Sequence, residues 1–584
     1  MKNGAAVFCI LFGFIARFTF GEDAGGRAFI ANDSLLSSDE AVISRGKTLS
    51  KQLCSSCHYL EGTSTGPTLG GITTVRDLKW LYEFVRNPMA MVENGDPQAR
   101  ALLEKYKLPM PAFTHLKDAD LFAIFSHIHS YSKKRGLSYK PEGNSGHLKA
   151  LMTLPSEPIQ KIGITIKLSE VATLPKVNFE RPSIRLANMR SRPGDTPDAF
   201  YLNDHDGYIY RIQSGSVDTV FEITQRFPNF IRFPGLATGL GSFAFHPEFT
   251  SNGLLYVSHT EKYAGRSADY EYSPDIDTPI QWILSEVKLE KPQDPFNQGT
   301  WRELMRINVP DTVHGMQDIK FSRLARPGDS DYGLLFIGFG DGGATNSGNP
   351  NLCHNLQSPL GTIMRIDPLG ANSRNGRYGI PSDNPFVQDP NTNTWKEIYA
   401  YGFRNPHRLA WDHLNNGRLI ASEISHRLFE EINVIQPGKD YGWNIRDANI
   451  LYQPRIQKYG AAIPWEITEE GFEKPFAVYS HLEGNAISGG FVYRGSAEEL
   501  QGKYIFGDIV SGRIFCLDLD LETKGLQTVF ELDITNETNE PGTLREWVGR
   551  RRADLRFGED QAGELYIMTK ADGKIRKIIS AKRQ

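Results

Sequence analysis

Cysteine is scarce in this chain. Five residues in 584, Cys9, Cys54, Cys57, Cys353 and Cys516, cannot build a disulfide framework for a protein of this length. Long apolar runs are lacking too: the longest, Ala5 to Ala16, has 12 residues, where a spanning helix needs about 20. Neither sign of charge is in large excess. With 65 Lys+Arg against 69 Asp+Glu the net charge is −4, which excludes a broad basic field and, with it, a nucleic-acid partner. A disordered or fibrous composition is also absent, since 40% of residues are hydrophobic and 23% charged, enough for a real core. The length suits about three to four domains of ~150 residues, or fewer if one is a large all-β unit.

The short apolar run follows Lys2 and precedes Arg17, the layout of a secretory signal, so residues 1–21 read as a signal peptide and the protein as periplasmic or otherwise exported. Extension through Phe18 and Phe20 gives an uncleaved anchor as the alternative, the one case in which membrane attachment is expected.

Two of the five cysteines are spaced for chemistry. Cys54-Ser55-Ser56-Cys57-His58 has the C-x-x-C-H pattern in which two thiols reach the two vinyl groups of one porphyrin and the adjacent imidazole reaches its iron. A redox dithiol or half a zinc site is the competing reading of C-x-x-C alone. Upstream, Ser37 and Glu40 predict a capping box for a helix carrying Ile43, Gly46, Leu49 and Leu53 at helical spacing. Downstream lie the loop Gly66-Pro67-Thr68-Leu69-Gly70-Gly71 and the segment Leu108-Pro109-Met110-Pro111, where flanking prolines keep a thioether out of a helix. Asp118 to His129 then predicts a closing helix.

Over residues 38–132 this order of motifs resembles a class I cytochrome c. The resemblance implies one covalent haem c attached through Cys54 and Cys57, with His58 as proximal and Met110 as distal iron ligand. Met89 and Met91 are rival distal ligands. One position departs from the pattern: His127 stands where the family's closing helix carries an aromatic residue against Gly46.

Residues 133–180 show no strong periodicity and read as a linker and lead-in segment. From 181 to 580 short strands recur between Gly, Asn and Asp turns. Two elements repeat: a Gly before an alternating strand (Gly207, Gly361, Gly512, Gly573) and a Gly before an apolar strand (Gly253, Gly333, Gly417, Gly563). About six copies fit, which predicts an all-β six-bladed propeller behind the small all-α domain, with a β-sandwich as the alternative.

The loops Phe245-His246-Pro247, His314-Gly315-Met316-Gln317-Asp318, Gly340-Asp341-Gly342-Gly343, Tyr401-Gly402-Phe403-Arg404-Asn405-Pro406 and Tyr441-Gly442-Trp443 resemble the glucose/sorbosone dehydrogenase family of quinoprotein sugar dehydrogenases. The resemblance implies His314 as the base that takes the substrate hydroxyl proton and Asp341 as its orienting carboxylate. It further implies Arg404, Asn405 and Arg551 as contacts of pyrroloquinoline quinone, with calcium beside it. Four positions depart from the family: Ala237 for a Gln, Ser425-His426 for a Gly-Pro whose carbonyls hold calcium, Val510 for a Lys, and Ala553 for an Arg. Each lost contact costs about 1–3 kcal/mol of anchoring for a charged cofactor.

Two functions follow. In the first, the propeller oxidises a sugar or other alcohol and the fused haem passes electrons one at a time to a downstream acceptor. In the second, the propeller has lost its quinone and the chain is a haem-bearing binding or sensory protein. Cys353 and Cys516 read as buried apolar residues, and His354 and His426 as channel-lining.

Overall fold

The computed structural model describes the chain except residues 1–19, 23–27, 31–34, 55–57, 59, 62–65, 107–109, 111, 115, 140–157, 177–183, 234–236, 413–416, 455–457, 463–470 and 520–524. Residues 1–19 of the expected signal segment, and Cys57, therefore lie outside the described residues. The chain divides into two compact units, residues 1–144 and 145–584.

The first unit is helical: α1 (Glu40–Leu53), α2 (Leu78–Arg86), α3 (Pro88–Glu93), α4 (Pro97–Tyr106) and α5 (Asp118–Arg135). Helix α1 starts where expected, but not through the expected box. Its N-cap is Asp39, whose side chain accepts from Ala41 N at 2.8 Å, while Ser37 Oγ accepts from Asp39 N and Ser37 N donates to Ser126 Oγ. An aspartate one residue before the helix outcompetes a hydroxyl three residues before it, because it reaches the first free N–H groups directly. Helix α5 runs one and a half turns past the expected end at His129 and stops at Gly136 in the left-handed region. Leu121, Ile124, Phe125 and Ile128 of α5 are buried.

The contact between α1 and α5 depends on Gly46. A Cβ there would lie 1.8 Å from the Ala123 carbonyl oxygen and 3.0 Å from His127 Cβ. His127 is buried and its ring packs 6.2 Å from Tyr131, so it acts as the packing residue of this crossing.

The second unit is all-β and propeller-like. Four four-stranded antiparallel sheets follow one another along the chain, their first strands being Leu186–Arg190, Leu240–Phe245, Met316–Phe321 and Pro406–Trp411. A nine-stranded sheet holds Ile487–Val492 through Phe530–Thr535 on one side and Leu555–Glu559 through Lys574–Arg583 on the other. These first strands touch in a cycle, from Leu186–Arg190 through each in turn to Leu555–Glu559, which contacts Leu186–Arg190 again. The two repeated sequence elements are the second and third strands of these groups, for example Leu254–Lys262 and Tyr208–Gln213.

The stretch 133–180 needs correction. It contains a 14-residue strand, Gln160–Thr173, that pairs antiparallel with Lys574–Arg583 and parallel with Phe530–Thr535. Ile164, Ile166 and Leu168 alternate into the core, a period of two that the flanking Pro-rich segment obscures in the sequence.

Candidate active site and haem ligands

In the helical unit, Cys54 ends α1 with its N–H on Ser50 O, and His58 N donates to Cys54 O at 2.8 Å. A thiol and an imidazole are thereby set one turn apart. His58 Nδ1 lies 2.8 Å from the Pro67 carbonyl oxygen. A carbonyl only accepts, so Nδ1 carries the proton and the lone pair left for a metal is on Nε2. Burial lowers the imidazole's pKa, and the Pro67 bond partly offsets this. The neutral ring that ligation requires is thus favoured, and the residues present fit a haem. Met110 is half-buried in its loop. Met89 and Met91 instead pack against the apolar cluster of Val92, Ala99 and Leu103.

In the β unit, sequence-distant loops meet at His314. Its Nδ1 sits 2.7 Å from Asp341 Oδ1, and the carboxylate is almost completely buried. Gly343 N also donates to Oδ1, at 2.9 Å, and Trp443 Nε1 donates to Oδ2 at 3.0 Å. Burial would raise the Asp341 carboxyl, but the His314 contact, the Arg404 charge and the Gly343 N–H outweigh it and hold the group below its usual value. His314 itself is lowered by burial and by Arg404, against the raising effect of Asp341. The ring is therefore neutral at neutral pH, with Nδ1 protonated toward the carboxylate and Nε2 free as a base. His314 adopts φ 54°, and the next residue must be glycine, since a Cβ on Gly315 would meet the Trp282 ring at 1.9 Å.

Arg404 lies beside this pair. Its backbone carbonyl accepts from Asp341 N at 2.7 Å, its guanidinium stands 5.8 Å from the Trp443 ring centre, and Nη1 donates to Ile424 O and Ser425 O. Two buried polar atoms here lack a hydrogen-bond partner among the described residues, Arg404 Nε and Asn405 Oδ1. A donor and an acceptor left open beside a poised imidazole fit a polar, carboxylate-bearing cofactor.

Other expected contacts are not brought together. Arg551 is exposed, whereas its neighbour Arg552 pairs with Asp554 at 2.8 Å. Ala237, Val510 and Ala553 are buried, and Ala553 N donates to Val510 O. At Ser425-His426, which departs from the family's calcium-holding Gly-Pro, the Ser425 carbonyl accepts from the Arg404 guanidinium at 2.7 Å. Among the described residues no group of three His, Cys, Asp or Glu side chains is arranged to hold a metal ion. His354 pairs with Asp440 at 2.7 Å, and His426 Nδ1 meets the Tyr459 hydroxyl at 2.9 Å within an aromatic cluster. Cys353 and Cys516 are buried, and burial pushes the Cys516 thiol up to about 12.

Sequence reasoning missed two features. Trp443 was legible only as part of a loop motif, because indole donation to a carboxylate 102 positions away leaves no spacing signal. Behind Arg404 lie three buried carboxylates, Glu423, Glu431 and Asp447. Glu423 accepts from Arg404 N, Ser425 Oγ donates to both Glu431 and Asp447, and Asn433 Nδ2 spans Glu423 and Glu431. Burial and then the neighbouring acid raise two of them, Glu423 well above its usual value and Glu431 to about 7.

Comparison with known proteins agrees with this arrangement. Residues 197–577 match the family model described as Glucose / Sorbosone dehydrogenase. The chain belongs to the glucose/sorbosone dehydrogenase family. Residues 43–132 match the cytochrome c model, so the family's domain here follows a cytochrome c domain. Among curated relatives, HIPL1 protein of Arabidopsis thaliana is 25% identical over 378 residues, covering 57% of this chain and 52% of that one. Hedgehog-interacting protein of Homo sapiens is 28% identical over 363 residues, 59% and 44% of the two chains. Aldose sugar dehydrogenase YliI of Escherichia coli is 28% identical over 250 residues, 42% and 57%. The chain thus spans about half the length of the curated relatives it matches. A solved glucose dehydrogenase shares the fold, with a TM-score of 0.50 and 19% identity over 70% of this chain and 99% of its own.

Proposed function

We propose that this chain is an exported haem c oxidoreductase whose propeller oxidises the hydroxyl of a sugar or other small alcohol and delivers electrons through its haem to a downstream acceptor. The observation that carries the reading is the neutral His314 imidazole, its Nδ1 held on buried Asp341 and its Nε2 free, beside the open donor and acceptor of Arg404 and Asn405. Pyrroloquinoline quinone, when bound, supplies a two-electron acceptor for the hydride that leaves carbon. His314 Nε2 removes the hydroxyl proton as alkoxide character develops, and Asp341 stabilises the imidazolium that results. Arg404 and Asn405 orient the cofactor's polar edge. Fusion to a haem suits a two-electron donor that must empty one electron at a time, since tethering gives effective concentrations of roughly millimolar.

The cyclic contact of first strands supports a count of six blades, with the nine-stranded sheet comprising two of them joined through Gln160–Thr173. Export rests on the N-terminal segment alone, and calcium receives no role.

The test uses the full chain carrying haem, supplied with pyrroloquinoline quinone. Addition of sugars should reduce its own haem, and no reduction across a broad panel of aldoses and alcohols would reject the reading. A second reading, a haem-bearing binding protein without quinone, is favoured by the apolar Ala237, Val510 and Ala553. Stoichiometric quinone uptake in an absorbance titration would reject that one.

A further inference from the structure

The interior of the β unit gathers cationic side chains, several of them without a carboxylate in direct contact among the described residues. His407 and Arg408 lie on Pro406–Trp411 and Arg556 on Leu555–Glu559, two of the first strands that touch in a cycle. Arg185 immediately precedes a third such strand, Leu186–Arg190. His205 and Lys570 follow the strands Phe200–Asp204 and Leu565–Thr569. His205, His407, Arg408, Arg556 and Lys570 are each more than nine-tenths buried. They also act on one another. The charges of Lys570, Arg185, Arg556 and Arg408 all bear on the His205 imidazole, and those of Arg408, Arg556 and Lys570 on His407.

The counter-charge is present but mostly engaged: Asp554 acts on Lys570 and Arg556, and Asp204 on Lys570, without a hydrogen bond or ion pair to either cation among the described residues. Arg185 has Asp206 at 3.7 Å, and Asp554 is held by Arg552. Asp204 accepts from the backbone N–H groups of Arg185 and Asp206, and burial, with Asp206 beside it, pushes its carboxyl up to about 6. Among the described residues Arg408 donates only to carbonyl oxygens, those of Ala187, Gln317 and His407, and Arg556 Nη1 donates to that of Leu555. Among the described residues Lys570 Nζ makes no hydrogen bond or ion pair. His205 Nδ1, His407 Nδ1 and Arg556 Nε are buried without a hydrogen-bond partner among the described residues.

Buried, unpaired cations cost several kcal/mol each unless something neutralises them. Two imidazoles, a guanidinium and an ammonium drawn from different sheets make a convergent donor set, and a guanidinium favours a planar oxyanion through paired hydrogen bonds. We propose that the centre of the β unit is an anion-binding site, in which His205, His407, Arg556 and Lys570 hold the carboxylate or phosphate oxygens of a small ligand. The site is separate in its residues from the His314–Asp341 pair and stands whether or not the propeller oxidises a sugar.

Calorimetric titration of the haem-loaded full chain with inorganic phosphate, and separately with citrate, tests this against sodium chloride at matched ionic strength. At least one of the two should bind with 1:1 stoichiometry, and the preferred one tells a phosphate source from a carboxylate source. Arg556→Gln and Lys570→Gln should each weaken binding tenfold or more, and His314→Ala should leave it unchanged. Scanning calorimetry adds a reversal of sign: in chloride, Lys570→Gln should melt no lower than the parent, and in saturating anion it should melt lower. Binding of neither anion, equal binding by the variants, or a Lys570→Gln protein that melts lower in chloride by as much as in anion would overturn the proposal.

Discussion

Trp443 donates its indole N–H to Asp341 Oδ2 at 3.0 Å, so both oxygens of the carboxylate that orients His314 are occupied by fixed donors. An acid held from two sides cannot rotate away from the imidazole, and the ring's tautomer is set before any substrate arrives. Trp443→Phe keeps the ring and removes only the donor, leaving a buried carboxylate oxygen unsatisfied at a cost of about 1.5–3 kcal/mol. Turnover should fall roughly 10- to 100-fold, as expected when an orienting contact is lost, with the haem spectrum unchanged. Steady-state kinetics beside a visible spectrum check this.

Removal of the base is the sharper change. His314→Ala should lower kcat by about 10²–10⁴-fold while quinone uptake persists, a split that absorbance titration and turnover together resolve.

The pH dependence follows from burial. The folded pKa of His314 lies below its usual value of about 6.5, so the base stays active at neutral pH and fails only as pH drops below that value. Asp341→Asn removes the charge that favours the protonated ring. The acid limb of kcat should move to still lower pH even as the plateau falls, and a limb that moved upward would refute the assignment.

Glu431, raised to about 7, is protonated in the folded state at a pH where the unfolded chain is ionised. Its contribution to stability is complete below the unfolded value of about 4.3 and is lost as pH rises through about 7. Glu431→Gln should therefore match the parent at pH 4 to 5 and exceed it in denaturant midpoint at pH 8. Asn433 Oδ1 has no partner among the described residues and can accept from the new amide after an amide flip.

Two changes probe the haem unit. Met110→Ala should abolish a sulfur-ligand signature in the reduced spectrum and shift the potential, since axial identity is a main lever on it. Gly46→Ala forces a Cβ into a backbone carbonyl on α5 and should cost about 1–3 kcal/mol, as overpacking does, read in the thermal midpoint of the helical unit.

Legibility in the sequence tracked the range of the interaction. Cys54, His58 and the two repeated strand elements announce themselves through spacings of a few residues, which pattern alone reveals. Asp39 outcompeting Ser37 turned on two positions, beyond what pattern alone resolves. The strand Gln160–Thr173 carries no local signal because its partners lie some 370 to 420 residues onward, and only pairing reveals why Ile164, Ile166 and Leu168 alternate. Arg551 matches a family pattern yet is exposed, while the interior charge comes from Arg556 and Lys570, which no motif marks.

The pairing of Gln160–Thr173 with the final strand has a practical corollary for anyone cutting the gene. An independently expressed C-terminal half must begin ahead of Gln160, because a start at the first strand of the next sheet would discard the clasp and bare the edges of Phe530–Thr535 and Lys574–Arg583. Two exposed edges of that length invite intermolecular strand addition, so such a fragment should collect as insoluble aggregate, whatever its catalytic residues could do.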